Sequence, residues 1–263
     1  MTITDLNAPE VMFYTGLNEK QVKRSFEPEE GAFICESARV IERAIKAGYQ
    51  PISFFVEEGK EKAIASLGVS EELPVFTASH ELMKDITGYS LTGGVLCAMR
   101  RKPLLNEEEF INAHNRIVVL DDVENPTNVG AIFRSATALG ADGVILLRGS
   151  ADPLYRRAAR VSMGTVFQTD WTYARPEVMA IMKQKGFMSY ALALEEGAVP
   201  LQKCARRSIR VAVVLGNEDH GISEEILSAC DQTVMIPMRQ NVDSLNVAAA
   251  SAVAFWELFH EID

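Results

Sequence analysis

Apolar and polar residues alternate along this chain in blocks that read as an ordered series of strands and helices. "GAFICES", residues 31–37, is a short apolar run bounded by Gly31 and Ser37 and reads as a strand. "SARVIERAIKAG" places apolar residues three and four positions apart and stops at Gly48, which predicts an amphipathic helix starting at Ser37. "PISFFVEE", "LPVFTA" and "GGVLCAM" follow as strands, separated by a short helix in "EKAIASLG" and a helix "SHELMKDITG" capped near Ser79. With a polar, helical lead-in before Gly31, this is a compact alternating α/β unit ending near Met99. "RRKPLLNEEEF", with Pro103 and three consecutive glutamates, reads as a linker.

The alternation then restarts. "RIVVL" is a strand, "DDVENPTNVG" a long loop, "AIFRSATALG" a helix closed by Gly140, and "GVILL" a second strand. Strand, helix and strand at this spacing form a βαβ unit, so a parallel sheet follows. Downstream lie a basic helix around Tyr155 to Ser162 and a helix "PEVMAIMKQKG" between Pro176 and Gly186. The strands "FMSYALAL", "IRVAVVLG" and "TVMIPM" follow, with a helix from near Ser223 between the last two, and a final helix to about Glu261. At its start, "NVDSLNVAAA" offers Asp243 or Ser244 as a cap for a free first-turn N–H, and the alanines favour helix. The domains are accordingly expected at 1–103 and 104–263.

At 263 residues and 48% hydrophobic composition the chain has ample material for one large or two ordinary cores. No apolar run approaches the roughly 20 residues of a membrane helix, and "MTITDLNAPE" lacks the layout of a signal peptide, so a cytoplasmic protein is expected. Cys35, Cys97, Cys204 and Cys230 are scattered without a C-x-x-C pair, as are His80, His114, His220 and His260, and no metal is assigned. A net charge of −10, taken alone, argues against a nucleic-acid partner. Local clusters leave RNA open: Arg100 to Lys102, then Arg156, Arg157 and Arg160, then Lys203, Arg206, Arg207 and Arg210.

Ligands of open parallel sheets bind beyond the C-terminal ends of the strands. Three loops there carry unusual polar residues: "ENPTNVGAIFR", "GNEDHG" and "RQNVDSLN", all expected on one edge of one sheet. In the first, Asn128 sits just before the helix and Arg134 on its first turn, a place that suits an anion or, equally, an ordinary cap and a surface arginine. In the second, Gly216 permits close approach of a ligand to the backbone, and Glu218, Asp219 and His220 read as a turn ahead of a metal site. No G-x-G-x-x-G, phosphate loop or G-x-S-x-G elbow is present, which counts against nicotinamide enzymes, P-loop ATPases and α/β-hydrolases.

Together, "NPTNVGAIFRSATALGADGVIL", "VVLGNEDHGIS" and "IPMRQNVDSLNVAAASAVAFWEL" resemble, in order and separation, the three motifs of the SpoU (TrmH-like) branch of the SPOUT methyltransferases. The resemblance implies an α/β fold whose C-terminal part is a trefoil-knotted parallel-sheet domain that dimerises. It also implies methyl transfer from S-adenosylmethionine to a ribose 2′-hydroxyl of RNA. The N-terminal half, through "FICESARVIERAIKAG", resembles the smaller L30e-like α/β substrate-binding domain of relatives that modify ribosomal RNA, which puts ribosomal RNA of the 23S type ahead of transfer RNA. Carried over by position, the catalytic residues fall on Asn128, Arg134, Glu218, Ser244 and Asn246, and the cofactor contacts on Gly216, Ile236 and Leu245. Arg134 is expected to clamp an RNA phosphate and stabilise the developing alkoxide, with Asn128 and Asn246 orienting the ribose and Arg134, and Glu218 holding Arg134 or the loop. Asp219 and Gln240-Asn241 depart from the glycines frequent in the family. The alternatives are a non-catalytic RNA-binding protein on the same scaffold and a small-molecule α/β enzyme.

Overall fold

The computed structural model describes residues 1–15, 31–89, 91, 93–204, 209–239 and 244–259. Most of the lead-in, Arg206, Arg207, Gln240, Asn241, Asp243 and the end of the final helix with His260 lie outside these residues. Two compact units form: Met1–Pro103 with Leu154–Gln168, and Leu104–Pro153 with Thr169–Asp263. The segment Leu154–Gln168, expected with the second domain, packs with the first unit. Its Ala158, Ala159 and Val166 are buried, and the Phe167 ring lies 5.8 Å from Phe33 and 5.1 Å from Tyr49.

The first unit contains α1 (Met12–Thr15), β1 (Ala32–Glu36), α2 (Ala38–Lys46), β2 (Pro51–Glu57), α3 (Lys62–Ala65), β3 (Val75–Ala78), α4 (His80–Thr87), β4 (Val95–Arg100) and, from the returning segment, α7 (Arg156–Val161). Its sheet runs β1-β4-β2-β3, with β4 antiparallel to both neighbours and β2 parallel to β3. Alternate residues point to opposite faces. Ile34, Phe55, Leu96 and Ala98 join Val11, Tyr14 and Met83 in one core, and on α2 Val40, Ile41 and Ala44 are buried. Ser79 caps α4 as expected, accepting from the Leu82 N–H at 3.3 Å.

The second unit contains α5 (Glu107–Ala113), β5 (Arg116–Leu120), α6 (Pro126–Ala138), β6 (Gly143–Leu146), β7 (Asp170–Tyr173), α8 (Val178–Gln184), β8 (Met188–Leu192), β9 (Val199–Pro200), β10 (Val211–Leu215), α9 (Glu224–Ala229), β11 (Gln232–Met235) and α10 (Val247–Phe259). Its sheet is parallel throughout, in the order β7-β6-β5-β10-β8-β11-β9. Ile117, Val119, Ile145, Ala212 and Val214 pack against Phe110, Val178, Met182 and Ile226 from the flanking helices. Each fully buried Val, Ile, Phe or Met side chain here contributes about 1.5–3 kcal/mol. Helix α10 packs against α6 and β10 and buries Ala254, Phe255 and Leu258.

Two further expectations change. The three glutamates read as linker form the first turn of α5, because Asn106 accepts from the Glu109 N–H at 3.0 Å while Glu109 accepts from the Asn106 N–H in return. This capping box, with acidic residues at the positive end of the helix, starts α5 directly after the polar stretch. The loop read between Asp121 and Gly130 is helical from Pro126, since Asn125 accepts from the Thr127 N–H at 2.9 Å and proline is preset for the first helical position.

Candidate active site

Strands β5 and β10 lie side by side, with Leu120 paired to Leu215 at their C-terminal ends. From this pair the sheet runs outward through β6 and β7 on one side and β8 and β11 on the other, so the loops after β5 and β10 part at a topological switch point. The loop after β10 is a tight turn. The Asn217 N–H donates to the Gly221 carbonyl at 2.9 Å and the Gly221 N–H returns the bond at 3.1 Å. Gly216 is required by this turn: an added Cβ would lie 2.3 Å from the Gly221 carbonyl carbon and 2.4 Å from the Ile222 nitrogen. Its need for glycine is thus set by the chain's own backbone as well as by any ligand in the cleft it lines.

Because α6 begins at Pro126, Asn128 lies inside the first turn of the helix, and Arg134 lies beyond that turn. Six residues on a helix turn a side chain by about 240° and advance it by about 9 Å. Asn128 is therefore buried toward the switch point, whereas Arg134 is exposed, with no hydrogen bond or ion pair to any described residue. The expected contact of Glu218 with Arg134 does not form. Instead Asn128 donates its side-chain amide to Glu218 Oε1, and Asn246 donates to Asn128 Oδ1 at 3.2 Å.

Asn246 also caps α10, its Oδ1 accepting from the Ala248 N–H at 3.0 Å. The cap expected at Asp243 or Ser244 thus falls on Asn246, and Ser244 is exposed. A cleft of about 450 Å3 opens at the C-terminal ends of β8, β10 and β11, lined among others by Gly216, Glu218, Ile236, Ser244, Leu245 and Asn246. All three expected cofactor residues and three of the five expected catalytic residues meet there. Asn128 joins them through Glu218 and Asn246, while Arg134 does not line the cleft. Apolar walls come from Leu192, Ile222, Met235 and Met238. The volume is within the ~300–1,000 Å3 typical of small-molecule sites.

Three residues of this region escaped the sequence reading. Asp122 adopts a left-handed conformation at φ 59°, and its Oδ2 lies 3.0 Å from His220 Nε2. Asn217 donates to the Asp122 carbonyl at 2.9 Å. The neighbouring Asp121 accepts from the Ser223 N–H and hydroxyl, both at 2.7 Å, which anchors the entry to α9. Asp121 and Asp122 follow a strand and carry no spacing that separates them from ordinary loop residues. Burial pushes the nearby Cys230 thiol up to about 12, with Asp231 and Asp121 adding to the effect, so it stays protonated at neutral pH.

Residues 115–256 match the model of the SpoU rRNA methylase family. An uncharacterized tRNA/rRNA methyltransferase of Mycobacterium bovis is 32% identical over 97% of this chain and 90% of its own length. The 23S rRNA (guanosine-2′-O-)-methyltransferase of Acinetobacter baylyi is 32% identical over 78% of this chain and 88% of its own. Among solved structures, the AdoMet-bound rRNA methyltransferase from Sinorhizobium meliloti shares the fold, with a TM-score of 0.81 at 23% identity over 98% of this chain and 96% of that one. On the family match and the full-length relatives, this chain belongs to the SpoU rRNA methylase family.

Proposed function

We propose that the protein transfers a methyl group from S-adenosylmethionine to a ribose 2′-hydroxyl of RNA, with 23S-type ribosomal RNA ahead of transfer RNA. The observation that carries this reading is the cleft at the switch point, where Gly216, Glu218, Ile236, Ser244, Leu245 and Asn246 converge and Asn128 is bonded to two of them. Apolar side chains and strand-end backbone groups fit a cofactor that is part aromatic and part amino acid. S-adenosylmethionine supplies an electrophilic methyl on a sulfonium. The chain's own task is to hold the ribose oxygen in line with that carbon, and positioning of this kind can supply several kcal/mol of the barrier.

Gly216, Ile236 and Leu245 line the cofactor side of the cleft in this reading. The Asn246, Asn128 and Glu218 chain forms a fixed polar wall for the ribose, beside the Ser244 hydroxyl. Arg134 clamps an RNA phosphate from outside the cleft, because a guanidinium is always protonated and matches a phosphate by two parallel bonds. The first unit serves as the L30e-like RNA-binding domain, supported by exposed Arg39, Arg157 and Lys102. The second carries the family's trefoil knot and forms a homodimer, supported by the exposed apolar pair Val253 and Trp256, three residues apart on α10. The protein works in the cytoplasm; no helix among the described residues is long and apolar enough to cross a membrane.

The test is to incubate the protein with S-adenosylmethionine and unmodified ribosomal or transfer RNA, digest to nucleosides and seek a 2′-O-methyl product by mass spectrometry. A product that disappears in Arg134→Ala supports the reading. RNA binding without product on any RNA would favour the non-catalytic scaffold.

A further inference from the structure

We propose that His220, oriented by Asp122, is the base that takes the proton of the attacking 2′-hydroxyl. This rests on the reaction proposed above. His220 lines the cleft on the turn after β10, and its Nε2 lies 3.0 Å from Asp122 Oδ2. Asp122 itself is held from three sides. Its backbone is left-handed at φ 59°, its carbonyl accepts from Asn217 Nδ2, and its Oδ1 occupies the space left by Gly149, where a Cβ would lie only 1.6 Å away. Asn217 Oδ1 also accepts from the Asp219 and His220 N–H groups at 2.8 and 3.4 Å, so one side chain fixes both partners of the pair.

The loops after β5, β6 and β10 therefore meet to set one imidazole, an arrangement that a solvated turn does not need. With Nε2–H donated to Asp122, Nδ1 keeps its lone pair for a proton, the base-and-orienter geometry of general base catalysis. The other candidate residues serve less well. Arg134 has no lone pair to offer, and Glu218 is engaged by Asn128. The charged groups on the three loops are Asp121, Asp122 and Glu124 after β5, Arg148 and Asp152 after β6, and Glu218 and Asp219 next to His220; Asp121 is already bonded to Ser223 and Asp152 to Tyr173.

In the step, the 2′-oxygen forms its bond to the methyl carbon, the carbon–sulfur bond breaks with its electron pair left on sulfur, and the hydroxyl proton passes to His220 Nδ1. Positive charge leaves the sulfur and reappears on an imidazolium facing the Asp122 carboxylate.

The experiment compares wild type, His220→Gln and Asp122→Asn on an RNA that wild type methylates. Asparagine tolerates the left-handed backbone at 122, so the fold of the loop is kept. His220→Gln is expected to lower kcat roughly 10²–10⁴-fold with cofactor affinity retained. Asp122→Asn keeps a hydrogen-bond acceptor for Nε2–H but removes the carboxylate charge that faces the ring, and is expected to lower kcat with KM little changed. The tautomer of the His220 ring, read from its nitrogen NMR shifts in the full chain without RNA, should be Nε2–H in wild type, a readout independent of turnover. A His220→Gln enzyme within about threefold of wild type overturns the proposal, as does an Asp122→Asn enzyme with unchanged kcat or a wild-type ring protonated on Nδ1 alone. If wild type methylates no RNA, the reaction falls and this role with it; equal product from wild type and His220→Gln removes this role alone.

Discussion

Asn246 donates its side-chain amide to Asn128 Oδ1 at 3.2 Å, joining positions 118 residues apart in sequence. One asparagine caps α10 and the other is buried in the first turn of α6, so the bond fixes two helix starts to each other. Asn128→Ala removes both bonds, and because the exposed Glu218 and Asn246 can turn to water it should cost about 0.5–1.5 kcal/mol of stability. Turnover should fall further than stability alone explains. A double-mutant cycle of Asn128→Ala and Asn246→Ala, read by urea unfolding, should give a coupling of about 1 kcal/mol; strict additivity would mean the bond is not formed in solution.

Gly216→Ala places a methyl group 2.3 Å from backbone that no rotamer change can move. The turn Asn217–Gly221 must shift, and with it the cleft wall. Overpacking of this kind costs about 1–3 kcal/mol. Titration calorimetry should show S-adenosylmethionine affinity reduced by roughly tenfold or more, the equivalent of about 1.4 kcal/mol.

How far the sequence spoke for this fold depended on the kind of signal. The strands around Val118 and Val213 are continuous apolar runs and were legible from hydrophobicity alone, as were the three loops on one sheet edge. Asp170–Tyr173 was not, because a four-residue strand of which half the residues are polar has no periodicity to detect. Asn128 lies about one turn deeper in the helix than the sequence pattern predicts, because Pro126, inside a stretch with loop composition, starts the helix. The Asp122–His220 pair spans 98 residues, and only the three-dimensional meeting of loops brings it together. The packing of Leu154–Gln168 with the first unit is a long-range choice that local pattern does not encode.

Asp231 joins the starts of β11 and β8, its Oδ2 accepting from the Ser189 N–H at 2.9 Å and the Ser189 hydroxyl at 2.8 Å. Burial works to raise its pKa, but the Ser189 bonds and Lys183 outweigh it and hold the carboxyl below its ordinary value. A lowered carboxylate stabilises the fold in full above the unfolded-chain value of about 3.9, and that contribution is lost as the pH falls through the lower folded value. Asp231→Asn should therefore reduce stability at neutral pH and bring the mutant and wild-type curves together in acid. Urea midpoints measured from pH 7 down to pH 3 check this.

In the first unit, Glu36 is only 3% exposed and is met by three groups. Arg160 Nη1 donates to Oε1 at 3.1 Å, Arg156 Nε lies 4.0 Å from Oε2, and the Tyr89 hydroxyl donates to Oε2. The Arg160 guanidinium also stacks 4.6 Å above the Tyr89 ring. A buried carboxylate is tolerated only while such partners remain, so Arg160→Met should cost about 1–3 kcal/mol, limited by the partners that stay. Adding Glu36→Gln should recover part of the loss, since the charge that needed Arg160 is then gone. Burial, and then the Glu36 carboxylate, push the Tyr89 hydroxyl up to about 12. A raised hydroxyl stabilises the fold fully below the unfolded value of about 10, and the effect fades as the pH rises toward the folded value. Wild type should accordingly lose stability between those limits and Tyr89→Phe should lose less, as urea unfolding in alkaline buffer would show; parallel curves would mean that Tyr89 faces solvent and leaves Glu36 to the two arginines.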